Sequence, residues 1–213
     1  DEITQNLAVT YLEAGRGVEA AQEFERIALA ATSTDDVRRE ALWKAAELYE
    51  GSGATSSEQR VLQNIIVQYP NPISESIEAR FRLLEIDRSQ GNVAGVMARL
   101  EELVRVDATA GAQRSERTRY LAAKASLELA EPVMRKFAVV ELRQPLAESM
   151  KLKRSLMEDV IKVYTDAADY GVAEVTTAAT YRLGEVYEQF SSDLMDSERP
   201  RDLDEAALGQ YEL

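Results

Sequence analysis

Along the first half of the chain, apolar residues recur at helical spacing and the pattern is interrupted at regular points. Leu7, Ala8 and Tyr11, then Ala20, Phe24 and Ile27, follow the i, i+3, i+4 rhythm of a buried helix face, and Gly15 and Gly17 fall between the two sets. Gly costs about 1 kcal/mol against Ala inside a helix. The stretch therefore predicts two helices joined by a tight turn, with Tyr11 closing the first and Ala20 and Phe24 in the second. The pattern returns at an offset of 38: Tyr11, Gly15 and Phe24 fall on Tyr49, Gly53 and Leu62, then on Asp87, Gly91 and Leu100. Leu7–Ala8 falls on Ala45–Ala46 and Leu83–Leu84, and Ile27 on Ile65 and Leu103. Three helix–turn–helix units over 1–111 are the mark of a solenoid.

Each column has a physical reason. A small residue beside Leu7 lets the second helix approach, Gly15 supplies the freedom the turn needs, Ala20 keeps the helices close, and Phe24 fills the space between. Pro70 ends the second unit and biases Tyr69 away from helical geometry. These residues resemble the tetratricopeptide repeat family, whose pattern is a Leu-Gly or Leu-Ala pair, Tyr three on, Gly in the turn, then small, aromatic and small. The resemblance implies an all-α, right-handed helical solenoid. The family unit is about 34 residues, so a 38-residue period predicts extra residues in the connections "ATSTDD" and "YPNPIS". Glu58 stands where a small residue is expected, and the third unit has Leu84 and Asp87 in place of a small residue and Tyr.

From 112 the repeat is lost. Residues 112–170 predict a long, basic helical hairpin, kinked or restarted at Pro132, with Pro145 opening its second helix and Gly171 closing it. In 171–213, "YRLGEVY" restores a Leu183–Gly184–Tyr187 signature, and Tyr211 reads as the aromatic of a partner helix across an acidic insertion around "DLMDSERPRDL". The C-terminal helices are thus expected to be longer and irregular. The chain starts at Asp1 and stops at "QYEL" within an apolar-periodic pattern, which reads as a piece of a longer protein.

Composition narrows the chemistry. The chain has no Cys and no His, which removes thiol nucleophiles, histidine acid–base catalysis and His/Cys zinc sites. "GSGATS" at 51–56 lacks the Lys-Ser/Thr of a phosphate loop and follows a helix, so it reads as a turn. The pairs Glu47/Glu50 and Glu128/Glu131 read as solvated faces. No cofactor, metal or catalytic site is expected, and the chain does not read as an enzyme. A net charge of −13 argues against nucleic-acid partners, and no apolar run reaches the ~20 residues of a membrane span. Charge is uneven, at −8 over 1–111, +5 over 112–154 and −10 over 155–213.

In the family, the concave groove is lined by the first helix of each unit. Carried onto this chain, the second positions are Glu2, Glu40 and Glu78, the fifth Gln5, Trp43 and Phe81, the sixth Asn6, Lys44 and Arg82, and the ninth Val9, Glu47 and Glu85. The family's carboxylate clamp is not matched, since Val9 replaces an Asn and no Lys stands at the fifth position. Trp43 and Phe81 would present two aromatic faces framed by Glu40, Glu47, Glu78 and Glu85, suiting a protein or peptide partner with apolar anchors and Lys or Arg nearby. The alternative is that both rings fill the seam between first helices. Arg135, Lys136, Lys151, Lys153 and Arg154 form a second candidate surface, read as a docking site, a contact to an acidic end of the same chain, or a solvated helix face.

The resemblance implies a protein-binding scaffold. Its alternatives are an architectural spacer of a larger protein, or the accessory repeats of an enzyme whose catalytic domain lies elsewhere. The segment 145–187, above all "YGVAEVTTAATYRLGEVY", also resembles bacterial tetratricopeptide proteins that accompany TolQ/TolR-type envelope motors, including gliding-motility systems. "YP" followed by "EARFRLLE" is similar to periplasmic repeat proteins of outer-membrane assembly and Tol systems. These imply a periplasmic or envelope location, with the cytoplasm left open.

Overall fold

The computed structural model describes residues 2–197, which are mostly helical with no strand among them. The chain divides into two units, Asp1–Ala122 and a second from Ala123 onward. The first unit contains α1 (Glu2–Glu13), α2 (Gly17–Leu29), α3 (Asp35–Gly51), α4 (Thr55–Gln68), α5 (Ile73–Ser89), α6 (Val93–Ala108) and the start of α7 (Glu116–Ala138). From α1 to α6 each helix packs on the next in sequence, so the unit is a solenoid of helix pairs.

The 38-residue offset is written into the backbone. α2, α4 and α6 begin at 17, 55 and 93, and α1, α3 and α5 end at 13, 51 and 89. Gly15, Gly53 and Gly91 sit at φ of 69°, 68° and 67°, the left-handed conformation that costs a side-chain-bearing residue about 1–2 kcal/mol. Each turn closes with the same two bonds: Arg16, Ala54 and Asn92 donate their N–H to the carbonyls of Tyr11, Tyr49 and Asp87, and the glycine N–H groups donate to Leu12, Glu50 and Arg88. This is the Schellman closure of a helix C-terminus. Gly17, in contrast, is the first residue of α2. A Cβ there would run into the Ser52 hydroxyl, which donates to the Leu48 carbonyl at 2.7 Å.

The predicted columns supply most of the core, with Leu7, Tyr11 and Phe24 only partly buried. Ala8, Ala20, Ala45, Ala46, Leu62 and Ile65 are fully buried, with Tyr49, Leu83, Leu84, Leu100 and Leu103 nearly so. The extra residues of the long period lie in the helices rather than the connections. The links 30–34 and 69–72 are short, and "DD" and "IS" already form the first turns of α3 and α5.

The two departures from the pattern are compensated. Buried Glu58 is ion-paired to Arg82 at 2.7 Å. Buried Asp87 accepts from the Asn92 side chain at 2.7 Å and faces Arg99 at 3.5 Å. The repeat also runs further than expected. The next offset of Leu83–Leu84 is Leu121–Ala122, both buried, and the start of α7 is tied back by Thr118 donating to Asp107 at 2.8 Å and by Arg114 paired with Asp107 at 2.9 Å. The glycine column, however, falls on Leu129, a good helix former, so no turn forms and α7 continues through Pro132.

The second unit holds the rest of α7 with α8 (Leu146–Ala168) and α9 (Ala173–Met195). Ala130, Phe137, Val160, Tyr164, Ala179 and Val186 form its core. Pro145 precedes α8, and Gly171, at φ 66°, separates α8 from α9, as predicted. The Leu183–Gly184–Tyr187 signature does not pack as in the first unit: Gly184 faces open space and Tyr187 is exposed. Asp193–Met195, placed in an inserted turn by the sequence, are the last residues of α9. Tyr211 and most of the acidic insertion lie outside the described residues.

Candidate peptide-binding groove

Gln5 of α1 and Glu40, Trp43, Lys44 and Glu47 of α3 come together around an open cavity of about 580 Å³. Their shared side follows from spacing, since 40, 43, 44 and 47 lie on one helix face. Phe24 and Ile27 of α2, with Val37 and Ala41 of α3, complete the wall. The sequence reading had Phe24 and Ile27 as packing residues alone. Their column marks them as apolar, and Phe24 is only partly buried.

Trp43 belongs to both of the roles weighed for it. The indole is half-buried against the core of the first unit, and its Nε1 donates to Glu75 of α5 at 3.1 Å, which places it in the seam between first helices. It also lines the main cavity and a smaller one of about 420 Å³ bordered by Asp36, Arg39, Glu40 and Glu75. Arg39 holds Glu75 at 3.0 Å. Glu40 lines both cavities and is exposed, with no hydrogen-bond or ion-pair partner among the described residues. Glu47 is paired with Lys44 at 3.0 Å. The carboxylate available to a ligand cation is thus Glu40.

The later repeat positions are engaged within the chain. Glu78 is paired with Arg117 at 2.7 Å, and that guanidinium lies 5.3 Å from the centre of the Phe81 ring. Arg82 turns away from the groove toward Glu58 and Glu50, at 2.7 and 2.8 Å, with its guanidinium 6.0 Å from the Trp43 ring. Glu85 is paired with Arg88 at 2.6 Å. Val9 is exposed on α1 but is not part of the cavity wall. The cations expected from a partner over both aromatic rings are therefore supplied by the protein itself.

Behind the groove, Tyr49 donates to Glu25 at 2.6 Å and Arg60 holds the same carboxylate at 2.5 Å, joining α2, α3 and α4. Burial alone would raise the Glu25 carboxyl, but the hydrogen bonds from Arg60 and Tyr49 outweigh it and hold the pKa below the usual value. Burial and the Glu25 carboxylate push the Tyr49 hydroxyl up to about 12.

Of the second candidate surface, Arg135, Lys136, Lys151 and Arg154 are exposed. Lys153 is not. It is fully buried, donating to the carbonyls of Phe137 and Val140 at 2.7 and 2.8 Å and paired with Asp193 at 2.6 Å. The helical period explains the correction, because 153, 157, 160, 164 and 167 share the inward face of α8. Glu131, read as solvated, is also structural: it accepts from Tyr164 at 3.2 Å and pairs with Arg182 at 3.1 Å. Among the described residues no group of three or more Asp or Glu is placed to hold a metal ion, and no helix is long and apolar enough to cross a membrane.

Comparison with known proteins finds no family model that matches the chain and no matching curated protein. Among solved structures it is similar to a putative kinesin light chain of Podosopora anserina with nearly identical TPR-like repeats, at 14% identity over 99% of this chain and 92% of that one, with a TM-score of 0.43. A single-residue variant of that protein gives 16% identity over the same shares and a TM-score of 0.41. A chain of the DHF58 filament gives 20% identity over 90% of this chain and 91% of its own, with a TM-score of 0.32.

Proposed function

We propose that this chain is a protein-interaction scaffold that takes a peptide or a partner's helix into the groove between its first two helix pairs. The observation that carries the reading is the cavity itself: apolar Phe24, Ile27 and Val37, one face of Trp43, and Glu40 with no partner of its own among the described residues. Apolar anchors would bury against the wall while a Lys or Arg of the ligand meets Glu40, a charge-assisted contact at the open rim of the cavity. The spacer alternative draws support from the third repeat, where Arg117 already occupies the Glu78 carboxylate and the Phe81 ring. We therefore confine the ligand to the first two repeats. The envelope setting rests on the resemblance of 170–187 to repeat proteins of envelope motors.

Calorimetric titration with short peptides that combine Leu or Phe with Lys or Arg tests the reading. The wild type should bind, and Glu40→Lys should weaken binding by about 1.5–3 kcal/mol, as loss of a charge-assisted bond does, with an unchanged melting temperature. Absence of binding to any such peptide, or equal binding by the variant, would favour the spacer.

A further inference from the structure

Helix α1 leaves open a face that the later repeats cover. At the 38-residue offset, Ile3 corresponds to Ala41 and Ala79, Leu7 to Ala45 and Leu83, and Tyr11 to Tyr49. Ala41, Ala45, Tyr49, Ala79 and Leu83 are at most 5% exposed, whereas Ile3 is 83% exposed and Leu7 and Tyr11 are only partly buried. Residues 3, 7 and 11 are four apart and so share one side of α1.

In the later repeats this face is covered by the second helix of the repeat before: α2 packs on α3, and α4 on α5. The cover on α3 can be read residue by residue. Val18, Ala21, Glu25 and Ala28 fall on one side of α2 by helical spacing. Val18, Ala21 and Ala28 belong to the core that holds Ala45 and Tyr49, and Glu25 accepts from the Tyr49 hydroxyl at 2.6 Å. On α1 the Tyr11 hydroxyl makes no hydrogen bond among the described residues.

Solubility does not account for this arrangement. A solenoid end that faces solvent carries a polar outer surface on its terminal repeat. Here the outer side of α1 presents Ile3, Leu7 and Tyr11, while the polar Gln5, Asn6 and Glu13 fall elsewhere round the helix.

We infer that this face of α1 is a docking surface for an amphipathic helix of a partner protein whose contact stripe has the chemistry of the α2 stripe. That stripe carries small or branched apolar residues at i, i+3 and i+10 and a carboxylate at i+7, which accepts from the Tyr11 hydroxyl as Glu25 does from Tyr49. The docked helix continues the α2–α3 and α4–α5 seams by one more layer, and it buries Ile3 and Leu7 as Ala41 and Ala45 are buried. The inference is independent of the groove, to which α1 contributes Gln5 from another side.

The test is fluorescence anisotropy of a labelled peptide with the sequence of residues 16–30, titrated with the whole chain. The peptide is stapled between positions 22 and 26, because so short a helix is marginal alone, and carries Phe24→Gln and Ile27→Gln so that its groove-lining side is polar. The wild type is expected to bind. Ile3→Glu is expected to bind about tenfold or more weakly, as loss of a buried contact does, with an unchanged melting temperature because Ile3 is exposed. Glu25→Gln in the peptide is expected to weaken binding to the wild type but not to Tyr11→Phe, the mark of one shared hydrogen bond. No binding by the wild type, or equal binding by Ile3→Glu, overturns the inference. So does a Glu25→Gln effect that persists in Tyr11→Phe, which would set the carboxylate elsewhere. Concentration-dependent self-association that Ile3→Glu abolishes would likewise overturn it, because the occupant would then be a second copy.

Discussion

Lys153 shows how one side chain can organise a hairpin. Its three partners satisfy the ammonium fully, so burying it is tolerable, and removing it takes the countercharge from Asp193, which keeps only the Gln189 amide, and a donor from two carbonyls. Breaking one side of such a pair costs about 3–5 kcal/mol, and urea denaturation of Lys153→Met should lower stability by that amount. A neutral result would mean that water replaces the ammonium. Tyr49 and Tyr164 carry a different signature. Both hydroxyls are pushed up to about 12, by burial first and then by Glu25 and Glu131. The unfolded chain releases these protons near pH 10 and the folded chain near 12, so the unfolded state binds fewer protons in that window and stability falls as pH rises from 10 to 12. Denaturation measured across that range should show a shallower decline for Tyr49→Phe than for the wild type. Glu25 acts at the other end: its lowered pKa contributes stability above the ordinary carboxylate range that is lost as pH falls through the folded value. At this scale the sequence was readable where a residue repeats in a column. It was misleading where identity and position conflict, since a Lys inside "KLKRS" looks solvated until its place on the face of Val160 and Tyr164 is counted.

The helices and turns were the most legible level, because the turn needs one conformation and only Gly adopts it cheaply. Gly15, Gly53 and Gly91 share one φ and one pair of closing bonds, and this is why the 38-residue spacing could be read without knowing the fold. Gly53→Ala should cost about 1–2 kcal/mol, checked by thermal melting, and Gly17→Ala should cost about 0.5–1.5 kcal/mol, since the Ser52 hydroxyl must give up its bond to the Leu48 carbonyl to make room. Ala20 has no exposed surface, so Ala20→Leu should overpack the α1–α2 contact and cost about 1–3 kcal/mol. The fourth appearance of the Leu-Ala pair, at Leu121–Ala122, went unread because its glycine is missing. With Leu129 in that place, the helix that starts as part of the repeat runs on as part of the next unit. The reverse happened at Leu183–Gly184–Tyr187, where the letters match but Gly184 meets no neighbour. A motif made of packing residues has meaning only where something packs against it.

For the molecule as a whole, charge and composition excluded chemistry more readily than they located a site. Repeat positions found five of the cavity-lining residues, Gln5, Glu40, Trp43, Lys44 and Glu47. They could not show that Arg117 occupies the equivalent surface one repeat later, because ion pairs between residues far apart in sequence depend on side-chain direction rather than spacing. Trp43→Ala does not separate core from groove, because the ring packs on the core and lines the cavity. Its value is as a reporter: Trp43 is the sole tryptophan of the chain and it forms part of the cavity wall. Tryptophan fluorescence during titration with a peptide carrying Leu or Phe beside Lys or Arg, free of Trp and Tyr, tests the groove most directly. The account predicts a saturable blue shift as the exposed face of the indole is covered, lost in Glu40→Lys. Emission that stays unchanged while calorimetry reports binding would place the ligand elsewhere and contradict it.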